Sequence, residues 1–184
     1  EGVGVELDAP RIDHAREYLP EDIAAGRLRF VVKDIYLVDT EKDFNGLFDI
    51  ILLKDVIEHI HDQPKLIGWM KKFLKPGGII FFGFPPWYMP FGGHQQICKS
   101  KISRLPYIHL LPAFLYKWIL KNRKENVEEM MEIRETGISI ERFEKICRQQ
   151  GYEFLDYRHY LLNPIYEWKF GWKARKQAGL IRAI

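Results

Sequence analysis

The sequence predicts an α/β fold in which a mostly parallel sheet carries helices on both faces. Residues 3–85 alternate β-prone runs with helical patterns, as expected for right-handed βαβ crossovers. The third and fourth runs are apolar without alternation, which strands buried on both faces require. The chain has 184 residues, 47% of them hydrophobic, so it is long enough to close a core. We therefore expect one domain over residues 1–184.

Each of the first elements has a local sequence signal. The predicted strands are Val3–Leu7, Leu28–Val32, Phe48–Leu53 and Ile79–Phe84. After the first strand, Asp8-Ala9-Pro10 predicts a helix start, because proline is accommodated in the first helical turn. Apolar residues recur at helical spacing from Asp62 to Leu74, and Lys75-Pro76-Gly77-Gly78 predicts the end of that helix.

The alternation of strands and helices is interrupted over about residues 85–135. We interpret this segment as a helical and aromatic insertion that forms a lid. It begins with aromatic and proline residues, continues with an apolar helical stretch at 113–120 and ends with a charged run. Ser139 then predicts the start of a helix that ends at Gly151. Two closing strands, Tyr152–Tyr160 and Tyr166–Trp172, predict an antiparallel hairpin at the sheet edge.

Composition excludes several classes of function. The net charge is +3, from 28 basic and 25 acidic residues, and no basic block is present to follow a phosphate backbone, so no nucleic-acid partner is expected. Cys98 and Cys147 stand far apart without a CxxC spacing, which signals neither a disulfide framework nor a metal site. A reducing, cytoplasmic location fits this cysteine usage. No apolar run reaches the ~20 residues of a spanning helix.

Acidic residues follow three of the predicted strands, where open α/β sheets bind ligands. The two oxygens of Glu6 match the diol of a ribose; the alternative is that Glu6 caps the next helix. Asp34 can accept the exocyclic amine of adenine while Ile35 packs on the ring; the alternative is an aspartate that bonds its own turn. Lys54 and Asp55 follow the third strand in the same way.

Candidate acid–base groups lie in two segments. Glu58 and His59 follow the third strand as it turns into a helix, and His94 belongs to the aromatic insertion after Gly92-Gly93. The alternative is that these histidines serve the core by bonding backbone groups.

Four motifs occur in order, and together they resemble a known family. They are Val3-Gly4-Val5-Glu6-Leu7-Asp8, the strand ending in Lys33-Asp34, Phe48–Leu53 followed by Asp55-Val56-Ile57-Glu58-His59-Ile60, and Leu74-Lys75-Pro76-Gly77-Gly78-Ile79-Ile80. The family is that of the class I S-adenosylmethionine-dependent methyltransferases, and the resemblance covers residues 3–85. It implies a Rossmann-like fold, S-adenosylmethionine as cofactor and methyl transfer as activity. It also implies that the family's glycine-rich loop would precede Glu1, so we expect the domain to be incomplete at its N-terminus.

The resemblance assigns roles residue by residue. Glu6 would bind the ribose hydroxyls with Leu7 against the adenine, and Asp34 would bind the adenine amine beside Ile35. The cofactor's methionine moiety would border Leu53, Lys54 and Asp55, and the acceptor pocket would include Trp87, Tyr88 and Phe91. Aromatic and proline residues there favour a small, apolar or aromatic acceptor. If that acceptor carries a proton, His59 and His94 are the candidate bases, followed by Glu58.

Two questions stay open on sequence alone. The apolar segment 105–123 is interpreted as a lid, a homodimer surface or a helix at a membrane interface. An alternative to the enzyme is a non-catalytic Rossmann-like domain that binds a nucleotide or a partner protein through residues 87–120. A nicotinamide dehydrogenase fits less well, because the sequence contains no Tyr-x-x-x-Lys pattern.

Overall fold

The computed structural model describes residues 1–162, 164, 167, 168, 171 and 173–176. The chain divides into two compact units, one formed by residues 1–53 and 65–82 and the other by residues 54–64 together with those from Gly83 onward. Each unit is described by itself, and the expectation of a single domain stays a prediction.

The first unit begins with a parallel pair of strands. Strand β1 (Gly2–Glu6) pairs with β2 (Leu28–Val32), in register from Gly2 opposite Leu28 to Glu6 opposite Val32. Helices α1 (Ala9–Tyr18) and α2 (Pro20–Ala24) connect them. Parallel strands need such a crossover, because a tight turn can only join antiparallel neighbours. The parallel pair and its helical connection confirm the predicted α/β class.

The next part of the chain contains the second strand pair. Strand β3 (Phe48–Lys54), helix α3 (Gln63–Met70) and strand β4 (Leu74–Gly83) follow in order, and β3 pairs with β4. The predicted helix end at Leu74 is wrong: α3 stops at Met70, a 3₁₀ turn covers Lys71–Phe73, and residues 75–78 belong to β4. Glycine at position 78 allows β4 to approach β3 closely, because a Cβ at this position would lie only 3.0 Å from the Phe48 carbonyl oxygen.

The prediction that β3 and β4 are buried on both faces is wrong. Ile50 and Leu52 are 62% and 65% exposed, and on β4 Ile79 and Phe81 are 42% and 56% exposed. An apolar sequence shows that a strand can be buried, but whether the strand is buried depends on which other elements cover each face. The described strands form three separate hydrogen-bonded pairs, β1–β2, β3–β4 and β5–β6.

The described part of the second unit contains helices α4 (Ala113–Asn122), α5 (Val127–Thr136) and α6 (Ile140–Gln149). The first two occupy the predicted insertion. Their core contains Tyr116 and Leu120, both fully buried, packed with Cys98, Ile108, Met130 and Ile133. The predicted start of α6 is confirmed, because the Ser139 hydroxyl accepts a hydrogen bond from the Arg142 amide at 3.2 Å.

The predicted closing hairpin is antiparallel, but its strand bounds are wrong. Strand β5 (Tyr160–Leu162) pairs with β6 (Arg175–Lys176), whereas residues 152–159 form no strand. Glu167 and Trp168 are helical, and the other positions of the second predicted strand, apart from Gly171, lie outside the described residues. Residues that favour strands, such as tyrosine and phenylalanine, also pack outside strands, so their presence alone does not fix where a strand begins and ends.

Within the described part of the chain, no helix is both long and apolar enough to cross a membrane.

His109 holds several segments of the second unit together. Its side chain is fully buried, and Nε2 donates a hydrogen bond to the Trp87 carbonyl oxygen at 2.8 Å. The two rings meet edge to face at 4.7 Å between centroids. Arg134 donates to the His109 carbonyl oxygen, and Gly93 leaves no space for a Cβ, which would lie 2.4 Å from the Cβ of His109. Burial lowers the pKa of His109 below its usual value.

We predict that His109 makes this protein acid-sensitive. The His109 imidazole resists protonation in the folded state but accepts a proton freely in the unfolded chain. Its contribution to the free energy of unfolding is therefore present above about pH 6.5 and is lost as the pH falls. In His109→Gln, the free energy of unfolding should therefore decrease less than in the wild type between pH 7.5 and pH 5.5. Urea unfolding at the two pH values measures this, with the exposed His14→Gln as control. An equal decrease in His109→Gln and wild type would contradict the prediction.

Candidate active-site residues and the family

The carboxyl ends of β1 and β2 bring two predicted ligand-binding residues to one edge of the first unit. Glu6 is the last residue of β1, and Asp34 follows β2 by two residues. The strands are parallel with Glu6 opposite Val32, and the Lys33 amide donates to the Glu6 carbonyl oxygen at 3.0 Å. Both carboxylates therefore belong to the same end of the strand pair.

The Glu6 carboxylate is oriented by the backbone that follows it. Oε1 accepts hydrogen bonds from the amides of Leu7 at 2.8 Å and Asp8 at 3.2 Å, just ahead of α1. The alternative that Glu6 caps the next helix is wrong: these two amides precede α1, and its N-cap residue, Asp8, makes no side-chain capping hydrogen bond. Oε2 lies 3.9 Å from the exposed Arg11 guanidinium group, a surface ion pair that contributes little energy. The local hydrogen bonds thus use one oxygen and leave the other accessible to a ligand.

Asp34 is held in a similar way. Its Oδ1 accepts a hydrogen bond from the Tyr36 amide at 2.9 Å and caps the 3₁₀ turn Ile35–Leu37, as the turn interpretation predicts. The Trp69 indole donates to the Ile35 carbonyl oxygen at 3.1 Å, which ties this turn to α3. Ile35 is half-buried, whereas Leu7 at the neighbouring strand end is 69% exposed. The edge thus combines an ordered acidic pair with apolar side chains.

The end of β3 carries the third predicted group. Leu53 is half-buried in the strand, and Lys54 and Asp55 are exposed and form an ion pair with each other. Asp55 has a φ of 53°, in the left-handed region that aspartate tolerates better than most residues. Its amide donates to the Gly83 carbonyl oxygen at 2.7 Å, which fixes this turn of the second unit.

The second unit brings Glu58, His59 and His94 together, although they are far apart in sequence. The first two lie in the 3₁₀ turn Ile57–His59, and His94 precedes the 3₁₀ turn Gln95–Ile97. The imidazole rings are 5.0 Å apart between centroids and nearly perpendicular. Each residue offers one nitrogen or oxygen ligand atom, and these three atoms all lie within 4.8 Å of one another. We call this group the Glu58–His59–His94 cluster.

Burial sets the electrostatics of this cluster. Glu58 is 4% exposed, and neither of its carboxylate oxygens has a hydrogen-bond partner among the residues that the structure describes. Burial, with a smaller effect from the charge of Asp55, raises the pKa of Glu58 to about 7. Burial and the neighbouring His59 lower the pKa of His94. At neutral pH the cluster therefore contains a neutral imidazole and a carboxyl group that is ready to gain or lose a proton.

Gln63 is a positioning residue that the sequence analysis missed. It is 1% exposed, and its amide nitrogen donates to the carbonyl oxygens of Thr136 at 2.6 Å and Ile57 at 3.3 Å. These bonds fix the turn that carries Glu58 against the end of α5. No local signal identifies Gln63 from sequence, because Thr136 belongs to a distant part of the chain.

The three predicted acceptor-binding aromatics differ in their surroundings. Trp87 packs inside the second unit, where a Cβ on Gly137 would lie 2.2 Å from its ring. Tyr88 is 51% exposed, and Phe91 is half-buried. Trp87 therefore has a packing function of its own, and Tyr88 offers the most accessible aromatic surface. The contact of all three with an acceptor stays a prediction.

Comparison with known proteins identifies the family. A family model described as a methyltransferase domain matches residues 1–157, most of the chain. The chain therefore belongs to the methyltransferase domain family, and its predicted resemblance to class I methyltransferases is confirmed.

The similar proteins are methyltransferases by name. The chain is 35% identical over 97 residues to an uncharacterized methyltransferase of Mycobacterium sp. (strain JLS), a stretch covering 52% of this chain and 34% of that protein. It is 28% identical over 82 residues to a ubiquinone biosynthesis O-methyltransferase of Pectobacterium atrosepticum, covering 41% of this chain and 34% of that protein. The similarity thus spans about a third of the length of these relatives.

Proposed function

We propose that this chain transfers a methyl group from S-adenosylmethionine to a small, apolar or aromatic acceptor. The observation that carries the proposal is the parallel pairing of β1 and β2, with Glu6 and Asp34 at one end of the pair. Membership of the methyltransferase domain family supports it. Ligands of open α/β sheets bind at the carboxyl ends of the strands, which is where these carboxylates lie.

The proposed cofactor contacts follow from the free acceptor atoms at this edge. Glu6 Oε1 is occupied by backbone amides, so Oε2 accepts a ribose hydroxyl and displaces only an exposed arginine. Asp34 accepts the exocyclic amine of adenine, and Leu7 and Ile35 pack on the ring. The backbone amides hold Glu6 in place before the ligand binds, which reduces the entropy lost on binding. Leu53, Lys54 and Asp55 are proposed to contact the methionine moiety.

The proposed reaction is an in-line displacement. A lone pair of the acceptor forms a bond to the methyl carbon while the carbon–sulfur bond breaks and its electron pair stays on sulfur, giving S-adenosylhomocysteine. The protein aligns the reacting atoms and excludes water. A hydroxyl acceptor also loses a proton, and we propose that His94, neutral at pH 7 because its pKa is lowered, accepts it beside Glu58 and His59.

An oxygen nucleophile is the acceptor we favour. One relative is named an O-methyltransferase, and a neutral hydroxyl is one of the acceptor types that require a base such as the cluster supplies. The exposed ring of Tyr88, with Trp87 and Phe91, would bind the apolar part of the acceptor by aromatic packing.

Calorimetric titration of the full-length protein with S-adenosylhomocysteine, NAD and ATP tests the cofactor assignment. We predict that S-adenosylhomocysteine binds in preference to the other two. Glu6→Gln and Asp34→Asn should each weaken that binding by about 10- to 100-fold, since a hydrogen bond to a charged group contributes roughly 1.5–3 kcal/mol. Both substitutions keep the oxygen that accepts from the backbone, so the local turns are preserved.

The matched control is Glu17→Gln, a surface glutamate on α1 that should bind S-adenosylhomocysteine as the wild type does. Preference for NAD or ATP, or no binding of any of the three, would overturn the methyltransferase proposal in favour of a dehydrogenase or a non-catalytic domain.

The proton-transfer role predicts a different response at His94. His94→Asn should slow tritiated methyl transfer to small phenols by at least about 100-fold, as expected for loss of a general base, while affinity for S-adenosylhomocysteine stays nearly unchanged. Asparagine tolerates the left-handed φ of 51° at this position. The control is His61→Asn, an exposed histidine in the same unit. Turnover equal to that of the control would remove His94 from the mechanism.

A further inference from the structure

Glu58 presents an unusual combination of burial and missing partners. It is a carboxylate with 4% of its surface exposed and with no hydrogen bond to either oxygen from the described residues. The lysine closest in sequence, Lys54, forms its ion pair with Asp55 instead. Burial of an unpaired ionised carboxylate is expensive, and buried charges in proteins are normally paired or bound to a metal. Glu58 can offset this cost by gaining a proton or by binding a positively charged partner.

The neighbours of Glu58 supply the remaining donors of a metal site. His59 and His94 each direct one ring nitrogen to within 4.8 Å of the carboxylate ligand atom and of each other. Bonds of about 2.0–2.2 Å to one cation place tetrahedral ligands roughly 3.3–3.6 Å apart. The exposed side chain of His59 is free to close this gap by rotation about its own bonds. The backbone of His94 is held in the left-handed region, and its amide donates a hydrogen bond to the Phe91 carbonyl oxygen at 3.0 Å.

We propose that Glu58, His59 and His94 bind one divalent first-row transition-metal ion, such as Zn²⁺, Mn²⁺ or Fe²⁺. Two imidazoles and one carboxylate match the preference of these ions, whereas Mg²⁺ and Ca²⁺ prefer oxygen ligands throughout. Gln63 supports the site by anchoring the turn of Glu58 to α5 through its bonds to Thr136 and Ile57. Cysteine spacing gives no indication of such a site, because its ligands are histidine and glutamate.

Three protein ligands leave at least one coordination position open. A ligand oxygen bound there would lose its proton more readily, because a divalent cation lowers the pKa of a bound hydroxyl or water. In the metal-bound protein the cation, and not His94, promotes this proton loss, because a ring nitrogen bound to a cation cannot accept a proton. This use of the cation rests on the proposed methyl transfer, but binding of the cation does not.

Direct titration tests the site without any assumption about activity. The chelator-treated chain, freed of any affinity tag, is titrated with Co²⁺, whose visible absorption reports its ligands, and then with Zn²⁺ as competitor. We expect one Co²⁺ per chain, displaced by Zn²⁺ and not by an equal concentration of Mg²⁺. Glu58→Gln, His59→Gln and His94→Asn should each weaken binding by more than about 10-fold, because each removes a direct ligand.

The control variant is His61→Gln, which removes an exposed histidine two residues from the cluster and should leave Co²⁺ binding unchanged. Thermal unfolding in chelator checks that each variant folds. Glu58→Gln is close to isosteric, so it keeps the test decisive if a histidine variant fails to fold. Absence of saturable one-to-one binding, or unaltered binding in Glu58→Gln, would overturn the site. Because cofactor binding is measured separately, failure here is distinct from failure of the methyltransferase proposal.

Discussion

The parallel hydrogen bonding between β1 and β2 is the constraint on which the candidate cofactor site depends. Because the strands run in the same direction with Glu6 opposite Val32, the residues that follow each strand emerge at one edge. The Lys33 amide, bonded to the Glu6 carbonyl oxygen, sets the last step of this register. A shift of one residue would turn every side chain of the strand to the opposite face. The position of Glu6 and Asp34 at the same end of the strand pair is thus a property of backbone pairing.

Backbone amides then convert that position into a defined geometry. Leu7 and Asp8 donate to Glu6, and Tyr36 donates to Asp34, so both carboxylates are oriented by the first turn after their strand. A capping role and a ligand-binding role are often treated as alternatives. Here they are compatible, since a carboxylate has more acceptor positions than a capped turn uses. The local bonds order the group, and its remaining capacity is available to a hydroxyl or an amine.

Buried polar side chains organise the second unit. Glu58, Gln63 and His109 are almost fully buried, and each stands where segments distant in sequence meet. Gln63 and His109 each bond a carbonyl oxygen through one side-chain atom and leave one other buried atom without a partner, whereas neither carboxylate oxygen of Glu58 has a partner among the described residues. Such a group raises the free energy of the folded state unless it serves a ligand, a proton or a cation. The Glu58–His59–His94 cluster is therefore the part of this unit where chemistry is best supported.

Sequence reasoning succeeded where the signal is local. The bounds of β2 and the serine cap of α6 follow from β-propensity and capping chemistry, and the structure confirms both. The same reasoning predicted the wrong end for α3, because Gly77 and Gly78 are typical of a helix C-terminus but belong to strand β4 in the structure. It also predicted buried strands where Ile50 is 62% exposed, since coverage is decided by other elements.

The candidate residues of each unit were predictable only in part. Strand ends identified Glu6 and Asp34, and a position after β3 identified Glu58 and His59. The approach of His94 to them, and the support from Gln63, depend on tertiary folding and have no counterpart in residue spacing.

We propose that the ends of β1 and β2 bind one adenosine group. The most direct measurement is the change in backbone amide chemical shifts, by nuclear magnetic resonance, when S-adenosylhomocysteine is added to the chain. We expect large, saturable changes at the amides of Leu7, Asp8 and Tyr36, which donate to the two carboxylates. Shifts confined to other residues, with these three amides unaltered at saturation, would contradict it.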